Sequence, residues 1–251
     1  MMTMTLMDSC RFNVKILEAE SVIGKSHTAA GLPNQDAVKK VMFENGNILV
    51  IADGVGSEIH AELASQAAAE AVIEVFCSLD AGMLTEEDIA EMLCGTFRKR
   101  LAAKCTQRAA TTCIFCAHLF RKGIFLGQIG DGICCGYQNG SPFVLAEKDA
   151  DFANVVVPLT ADCSPERWKI VKLGAAEELE LMLATDGVAD DILPGKEADF
   201  AHHLINVLEA ESVSDRKTAL KSILDHWETP MSFDDKTIAL YHFISSGRGM
   251  T

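Results

Sequence analysis

Short apolar runs of strand length recur along the chain, and two longer stretches with helical spacing interrupt them. Residues 37–43 and 47–52 are apolar and separated by Glu44-Asn45-Gly46. Asn-Gly between two such runs favours the tight turn of a hairpin, so a hairpin is predicted here. From 61 to 76 the chain becomes rich in Ala, Glu and Gln, with apolar residues at helical spacing. A second helical region covers about 86–105, opened by Thr85 with Asp88 three residues on, close to a capping box. Strands return at 112–120, 124–129 and 133–137, with a turn at Arg121-Lys122-Gly123. Gln138-Asn139-Gly140 then leads into 143–145. Runs at 168–173 and 179–184 are spaced as another hairpin. Amphipathic helices are predicted at about 197–208 and 215–227, and a last strand at 237–243. Hairpins build antiparallel sheets, and helices grouped in pairs cover sheet faces, which predicts an α+β layered architecture.

The chain has 251 residues, 49% hydrophobic and 23% charged, enough apolar material for one substantial core. It has no Pro/Ser-rich linker, repeat or long block of one charge, so a single domain over 1–251 is expected. A formal net charge of −14 repels a polyanionic backbone and argues against a nucleic-acid partner. Residues 1–10 lack the basic segment and apolar core of a secretory signal. No apolar run approaches the ~18–20 residues needed to cross a bilayer, so a cytoplasmic protein without a membrane partner is expected. The nine cysteines, an odd number without an export signal, read as reduced thiols.

Chemistry concentrates in the aspartates. Asp53-Gly54 follows the run 48–52, Gly130-Asp131-Gly132 follows 124–129, Asp186-Gly187 follows 179–184, and Asp234-Asp235 precedes 237–243. Asp-Gly is also common turn chemistry, and a single instance carries no argument. Several at strand ends place carboxylates on the rim of a rigid sheet, where they can converge. The glycines let the backbone turn sharply and approach a ligand closely. Hard cations such as Mg²⁺ and Mn²⁺ take such oxygen ligands.

The ordered set resembles the metal-dependent protein phosphatases of the 2C class, from about Gly24 to Phe243. The matching pieces are Asn34-Gln35-Asp36-Ala37, Asp53-Gly54-Val55-Gly56-Ser57, Thr111-Thr112 with Gly130-Asp131-Gly132, the run from Ala184 to Asp190, and Asp234-Asp235-Lys236-Thr237. The resemblance implies a four-layer α-β-β-α sandwich, two antiparallel sheets with a helix pair on each outer face. It implies hydrolysis of phosphoserine and phosphothreonine in proteins by a water bridging two Mn²⁺ or Mg²⁺ ions, with positions for a third. Asp53 bridges the ions in that reading, the Gly54 carbonyl ligates one, and Asp186 and Asp234 hold the other. Asp36 acts through a metal-bound water, and Asp131 and Asp190 match the third ion's positions. Asp235 has a supporting role. The implied partners are a phosphorylated protein and a cognate kinase.

Three departures stand out. Gln35 occupies a position where many relatives carry Glu, and brings an oxygen without charge. Val55 replaces a His that can protonate the leaving group, a loss worth ~10²–10⁴-fold for poor leaving groups. No Arg precedes the first acidic motif, which leaves Lys25 and His27 as the nearest phosphate-binding candidates. Two alternatives follow: a pseudophosphatase used as a regulatory binding module, and a phosphohydrolase acting on a small metabolite.

Other constellations read as structural. Cys113 and Cys116 have zinc half-site spacing, with Cys134-Cys135 as a completing pair, but residues three apart on a strand point to opposite faces. His202 and His203, adjacent on a helix, diverge by ~100°.

Overall fold

The run from Gly46 to Ala52 is buried throughout, which requires a strand covered on both faces. In the computed structural model of the protein this run lies in a sandwich of two sheets. The structure describes residues 12–78, 85–120, 122–145, 157–174, 176–227, 229 and 233–245. The 1–10 segment and Arg121 of the predicted turn lie outside the described residues.

The strands are β1 (Phe12–Val22), β2 (Asp36–Phe43), β3 (Gly46–Asp53), β4 (Cys113–Leu119), β5 (Gly123–Ile129), β6 (Ile133–Gln138), β7 (Ser141–Leu145), β8 (Lys169–Leu173), β9 (Glu178–Ala184) and β10 (Lys236–Ser245). The helices are α1 (Lys25–Ala30), α2 (Ala61–Ser78), α3 (Glu86–Lys104), α4 (Asp186–Ala189), α5 (Glu197–Ala210) and α6 (Arg216–Asp225). Among the described residues the strands form two five-stranded sheets, ordered β1-β10-β9-β6-β7 and β2-β3-β4-β5-β8. All their pairings are antiparallel.

Strand alternation sorts the apolar side chains into three layers. Ile48, Val50 and Ala52 of β3 face α2 and α3, where Ala64, Ala68, Val72, Phe76, Leu93 and Phe97 complete one core. Leu49 and Ile51 face the other way and meet Leu181, Leu183, Tyr241 and Phe243 between the sheets. Met182, Ala184, Ile238 and Leu240 turn outward to Leu204, Ile205, Leu208 and Leu220 on α5 and α6. The observed order is therefore helix pair, sheet, sheet, helix pair, as expected. Thr85 and Asp88 form the capping box of α3, each side chain accepting from the other's backbone N–H.

The structure corrects one expectation and adds three elements. The runs 168–173 and 179–184 are not a hairpin, because β8 pairs with β5 in one sheet and β9 pairs with β6 and β10 in the other. The reason lies in burial. All of β9 beyond its first residue is buried, so it must sit inside a sheet covered on both faces. Lys169 and Lys172 keep β8 exposed, and it closes an edge. β1, α1 and the single-turn α4 are not predicted from the sequence. β1 mixes charged and apolar residues and shifts register between Val14 and Ile16, which breaks the alternation.

A polar cluster between the two sheets is centred on Tyr241. The buried Tyr241 hydroxyl meets His118 Nδ1 at 2.6 Å and accepts from Asn47 Nδ2 at 3.2 Å. Burial pushes the His118 pKa down to about 4, which keeps the imidazole neutral. The Tyr241→Phe variant leaves His118 and Asn47 without this partner and should lose about 1–3 kcal/mol. Equilibrium denaturation checks this; an unchanged midpoint would show that the network contributes nothing.

Candidate metal centre

Strand pairing brings the acidic residues together. Asp36 at the start of β2 lies opposite Asp53 at the end of β3. Ala184 pairs with Ile238, which sets Asp186 after β9 beside Asp234 before β10. Asp131 occupies the turn between β5 and β6. Carboxylate oxygens of Asp53, Asp131 and Asp186 lie within 4.8 Å of one another. With Asp234, Gly54 and His27 they line a cleft of about 270 Å³. Gln35, Val55 and Pro158 complete part of its wall.

Backbone contacts fix this rim. The Asp53 carbonyl accepts from Thr111 Oγ1 (2.6 Å) and from the Thr112 N–H (2.7 Å). Gly54 packs so closely on α2 that a Cβ there would lie 2.5 Å from the Ala61 carbonyl oxygen. At Gly187 a Cβ would lie 2.0 Å from the Asp235 carbonyl oxygen. Only glycine lets these two turns approach their neighbours.

Asp36 stands behind Asp53. Its Oδ2 accepts from Thr237 Oγ1 (2.6 Å) and Thr185 Oγ1 (3.0 Å). Its buried Oδ1 has no hydrogen-bond partner among the described residues, and neither has Gln35 Oε1.

Electrostatics set the character of the cleft. Burial, then the charges of Asp36, Asp186 and Asp234, push the Asp53 carboxyl up to about 11. Burial also raises Asp36 to about 7, against the two threonine hydroxyls that favour its charged form. Asp186 is raised as well, first by burial and then by Asp234. Like charges this close in a desolvated rim cannot all remain ionised unless a cation joins them. An all-oxygen donor set with two unpaired buried oxygens fits a hard divalent ion.

The adjacent Asp234 and Asp235 differ in role. The Asp234 side chain is 54% exposed, whereas that of Asp235 is 2% exposed. Asp235 accepts from the backbone N–H groups of Gly24 and Gln35, both at 2.6 Å. Its Oδ2 also lies 2.9 Å from His27 Nδ1, out of line for a hydrogen bond. Asp235 is thus a clasp that holds the segment bearing α1 against β10. Of the two phosphate-binding candidates, His27 lines the cleft; Lys25 opens α1 and is not part of the lining. Asp190 caps α4 and is close enough to raise the Asp186 pKa, without lining the cleft.

The clamp by Thr185 and Thr237 and the wall position of Pro158 escaped the sequence reading. The threonines stand inside the quoted motifs, but their shared target, Asp36, is distant in sequence. Among the described residues the thiols are free. Cys113 and Cys116 fall in different core layers, which removes the zinc half-site. A further acidic and histidine cluster is accounted for by ion pairs. His242 Nδ1 meets Glu209 at 2.6 Å, His242 Nε2 meets Glu178 at 3.2 Å, and His202 Nδ1 meets Glu180 at 2.6 Å.

Known proteins share this architecture. A family model described as protein phosphatase 2C matches residues 23–225. A search of curated proteins returns no match. Among solved structures, the catalytic domain of the serine/threonine phosphatase PstP, in complex with 2 manganese ions, is 17% identical. It matches with a TM-score of 0.62 over 94% of this chain and 98% of that one. The Ser-Thr phosphatase MsPP from Mycobacterium smegmatis, in complex with cacodylate, is 14% identical, with a TM-score of 0.60 over 94% and 100% of the two chains. Serine/threonine phosphatase Stp1 from Staphylococcus aureus is 17% identical, with a TM-score of 0.58 over 92% and 96%. At these identities the structural likeness carries the fold, and the family match carries the assignment: the chain belongs to the protein phosphatase 2C family.

Proposed function

We propose that this chain, as a single catalytic domain over 1–251, hydrolyses phosphoserine and phosphothreonine in proteins with Mn²⁺ or Mg²⁺ held by the cleft aspartates. The carrying observation is the convergence of Asp53, Asp131, Asp186 and Asp234 in one cleft, where burial, then the charges of Asp36, Asp186 and Asp234, push Asp53 up to about 11. When bound, two divalent ions supply Lewis-acid charge and lower the pKa of water from ~15.7 towards neutrality. Asp53 and the Gly54 carbonyl, with Asp186 and Asp234, are the proposed ligands. Asp131 and Asp190 are proposed for a third ion.

The chain's own groups do the positioning. Asp53 is held rigid through its carbonyl by Thr111 and Thr112. Asp36, clamped at Oδ2 by two threonines, orients a water through its unpaired Oδ1. His27 is the cleft residue that binds substrate phosphate in this reading, with Lys25 as a more distant cation. No covalent phosphoenzyme is involved, so no Cys or Ser nucleophile is assigned. The net charge of −14 leaves nucleic acid an unsuitable partner. No helix among the described residues is long and apolar enough to cross a membrane. A phosphorylated protein in the cytoplasm, with its cognate kinase, is the proposed context.

A second reading, a regulatory module without turnover, draws on Val55 in the cleft wall and on the uncharged Gln35. Turnover separates the two. The wild-type chain should hydrolyse an aryl phosphate and a phosphothreonine peptide with Mn²⁺, and Asp53→Asn should lose on the order of 10²-fold or more. A folded wild-type protein silent at every metal concentration would instead establish the module. Activity on phosphorylated metabolites alone would redirect the substrate class.

Two further outcomes follow from the site. The Val55→His variant restores a proton donor to the cleft and should raise turnover of the phosphopeptide, by up to ~10²-fold, more than that of an aryl phosphate. Equal effects on both substrates would contradict a leaving-group role. Asp36 and Asp53 have folded pKa values above their unfolded ones, so the stability they give the metal-free fold is fully present at low pH and is lost as pH rises, through about 7 for Asp36 and about 11 for Asp53. Cation binding must displace these protons, so affinity should rise between pH 6 and 8, by up to about tenfold per unit for each proton released. Calorimetry in buffers of different ionisation enthalpy measures the release; none at pH 7 would refute the protonated pair.

A further inference from the structure

Cys94 and Cys163 stand 69 positions apart in sequence, yet their sulfurs lie 3.6 Å from each other. Cys94 sits on the inward face of α3, 5% exposed. Cys163 is half-buried in the segment that follows Leu159 and precedes the 3-10 turn Pro165–Arg167. Arg98, one turn beyond Cys94, donates its Nε to the Ala161 carbonyl at 2.7 Å. Helix and segment are therefore already docked at the point where the thiols meet.

The contact splits the pair: with burial it pushes the Cys163 thiol up, while Cys94 is held down. The neighbouring Cys163 thiol, with Trp168 and the Arg98 charge, holds the Cys94 thiol below its ordinary value in spite of burial. Cys113, Cys116, Cys134 and Cys135 are pushed up by burial in the core, where thiols are inert. Closing the gap to a disulfide requires a movement of about 1.5 Å. Cys163 lies outside helix and strand, where such a shift is inexpensive.

We propose that Cys94 and Cys163 form a reversible disulfide that cross-links α3 to the segment running from the cleft wall at Pro158 to the 3-10 turn. A peroxide serves as oxidant. The Cys94 thiolate attacks one peroxide oxygen, forming S–O and breaking O–O, and the hydroxide that leaves takes up the proton Cys94 lost on ionising, as water. The Cys163 sulfur then attacks the Cys94 sulfur, forming S–S and breaking S–O. The leaving hydroxide takes up the Cys163 proton as water. The two thiols lose two electrons in total, and the peroxide is reduced to two waters.

The cross-link reaches the metal centre through few bonds. Leu159 exchanges two backbone hydrogen bonds with Thr111, at 3.1 and 2.7 Å, and the Thr111 hydroxyl holds the Asp53 carbonyl. The disulfide stands independently of the phosphatase reading, because its test requires no substrate.

The test oxidises the full chain with hydrogen peroxide and maps the products by mass spectrometry without reduction. The expected main product joins the Cys94 and Cys163 peptides and disappears with dithiothreitol. The oxidised chain should melt roughly 5–10 °C higher, reversibly, because a long loop is closed in the unfolded state. In Cys163→Ser the cross-link should be absent, with Cys94 captured by dimedone as the sulfenic acid. Oxidation confined to the exposed Cys77 or to Cys105, with Cys94 and Cys163 reduced, would overturn the proposal. So would conversion of Cys94 to sulfinic acid in the wild-type chain without any link.

Discussion

Desolvation and mutual repulsion of carboxylates converging at one rim are the constraint on which this structure depends. Asp36, Asp53, Asp131, Asp186 and Asp234 come from separate strands and turns, and their approach opposes folding in the absence of a cation. Three apolar layers supply the stabilisation that offsets it, two of them beneath helix pairs and one between the sheets. Asp53, Asp131, Asp186 and Asp234 adjoin largely buried strands, where the backbone has little freedom to relax the crowding. A stable core is thereby used to hold an unfavourable charge distribution in place, as expected of a site whose missing charge is supplied by an ion.

The neighbours Asp234 and Asp235 show how one dipeptide serves both sides of this arrangement. Asp234 opens to the cleft, and Asp235 turns inward to accept from Gly24 and Gln35. The inward carboxylate needs no metal, because backbone N–H groups stabilise its charge. It also fixes the segment that carries His27 and Gln35, and so shapes the wall of the cleft. The threonine clamp on Asp36 is a similar device: hydroxyls hold one oxygen and leave the other without a partner among the described residues.

Much of this was legible in the chain. Strand-end aspartates beside glycines marked the rim, and continuous apolar runs such as Ile48 to Ala52 marked strands buried on both faces. Contacts joining residues far apart in sequence were not legible. Nothing near Asp235 identifies its partners, Gly24 and Gln35, some 211 and 200 positions away. The 168–173 and 179–184 runs looked like a hairpin because local spacing cannot report that a chain changes sheets; the exposed lysines of β8 were the available clue. β1 was hidden by its charged residues and its register shift, both features of an edge strand. The Cys94–Cys163 contact likewise has no signature in spacing.

The central claim is that this crowded rim is a cation site, and anomalous diffraction from crystals grown with Mn²⁺ addresses it most directly. The account predicts at least two manganese peaks in the cleft, within coordination distance of Asp53, Asp186 and Asp234. A well-ordered map with no peak there at saturating Mn²⁺, and the aspartates still converged, would contradict it.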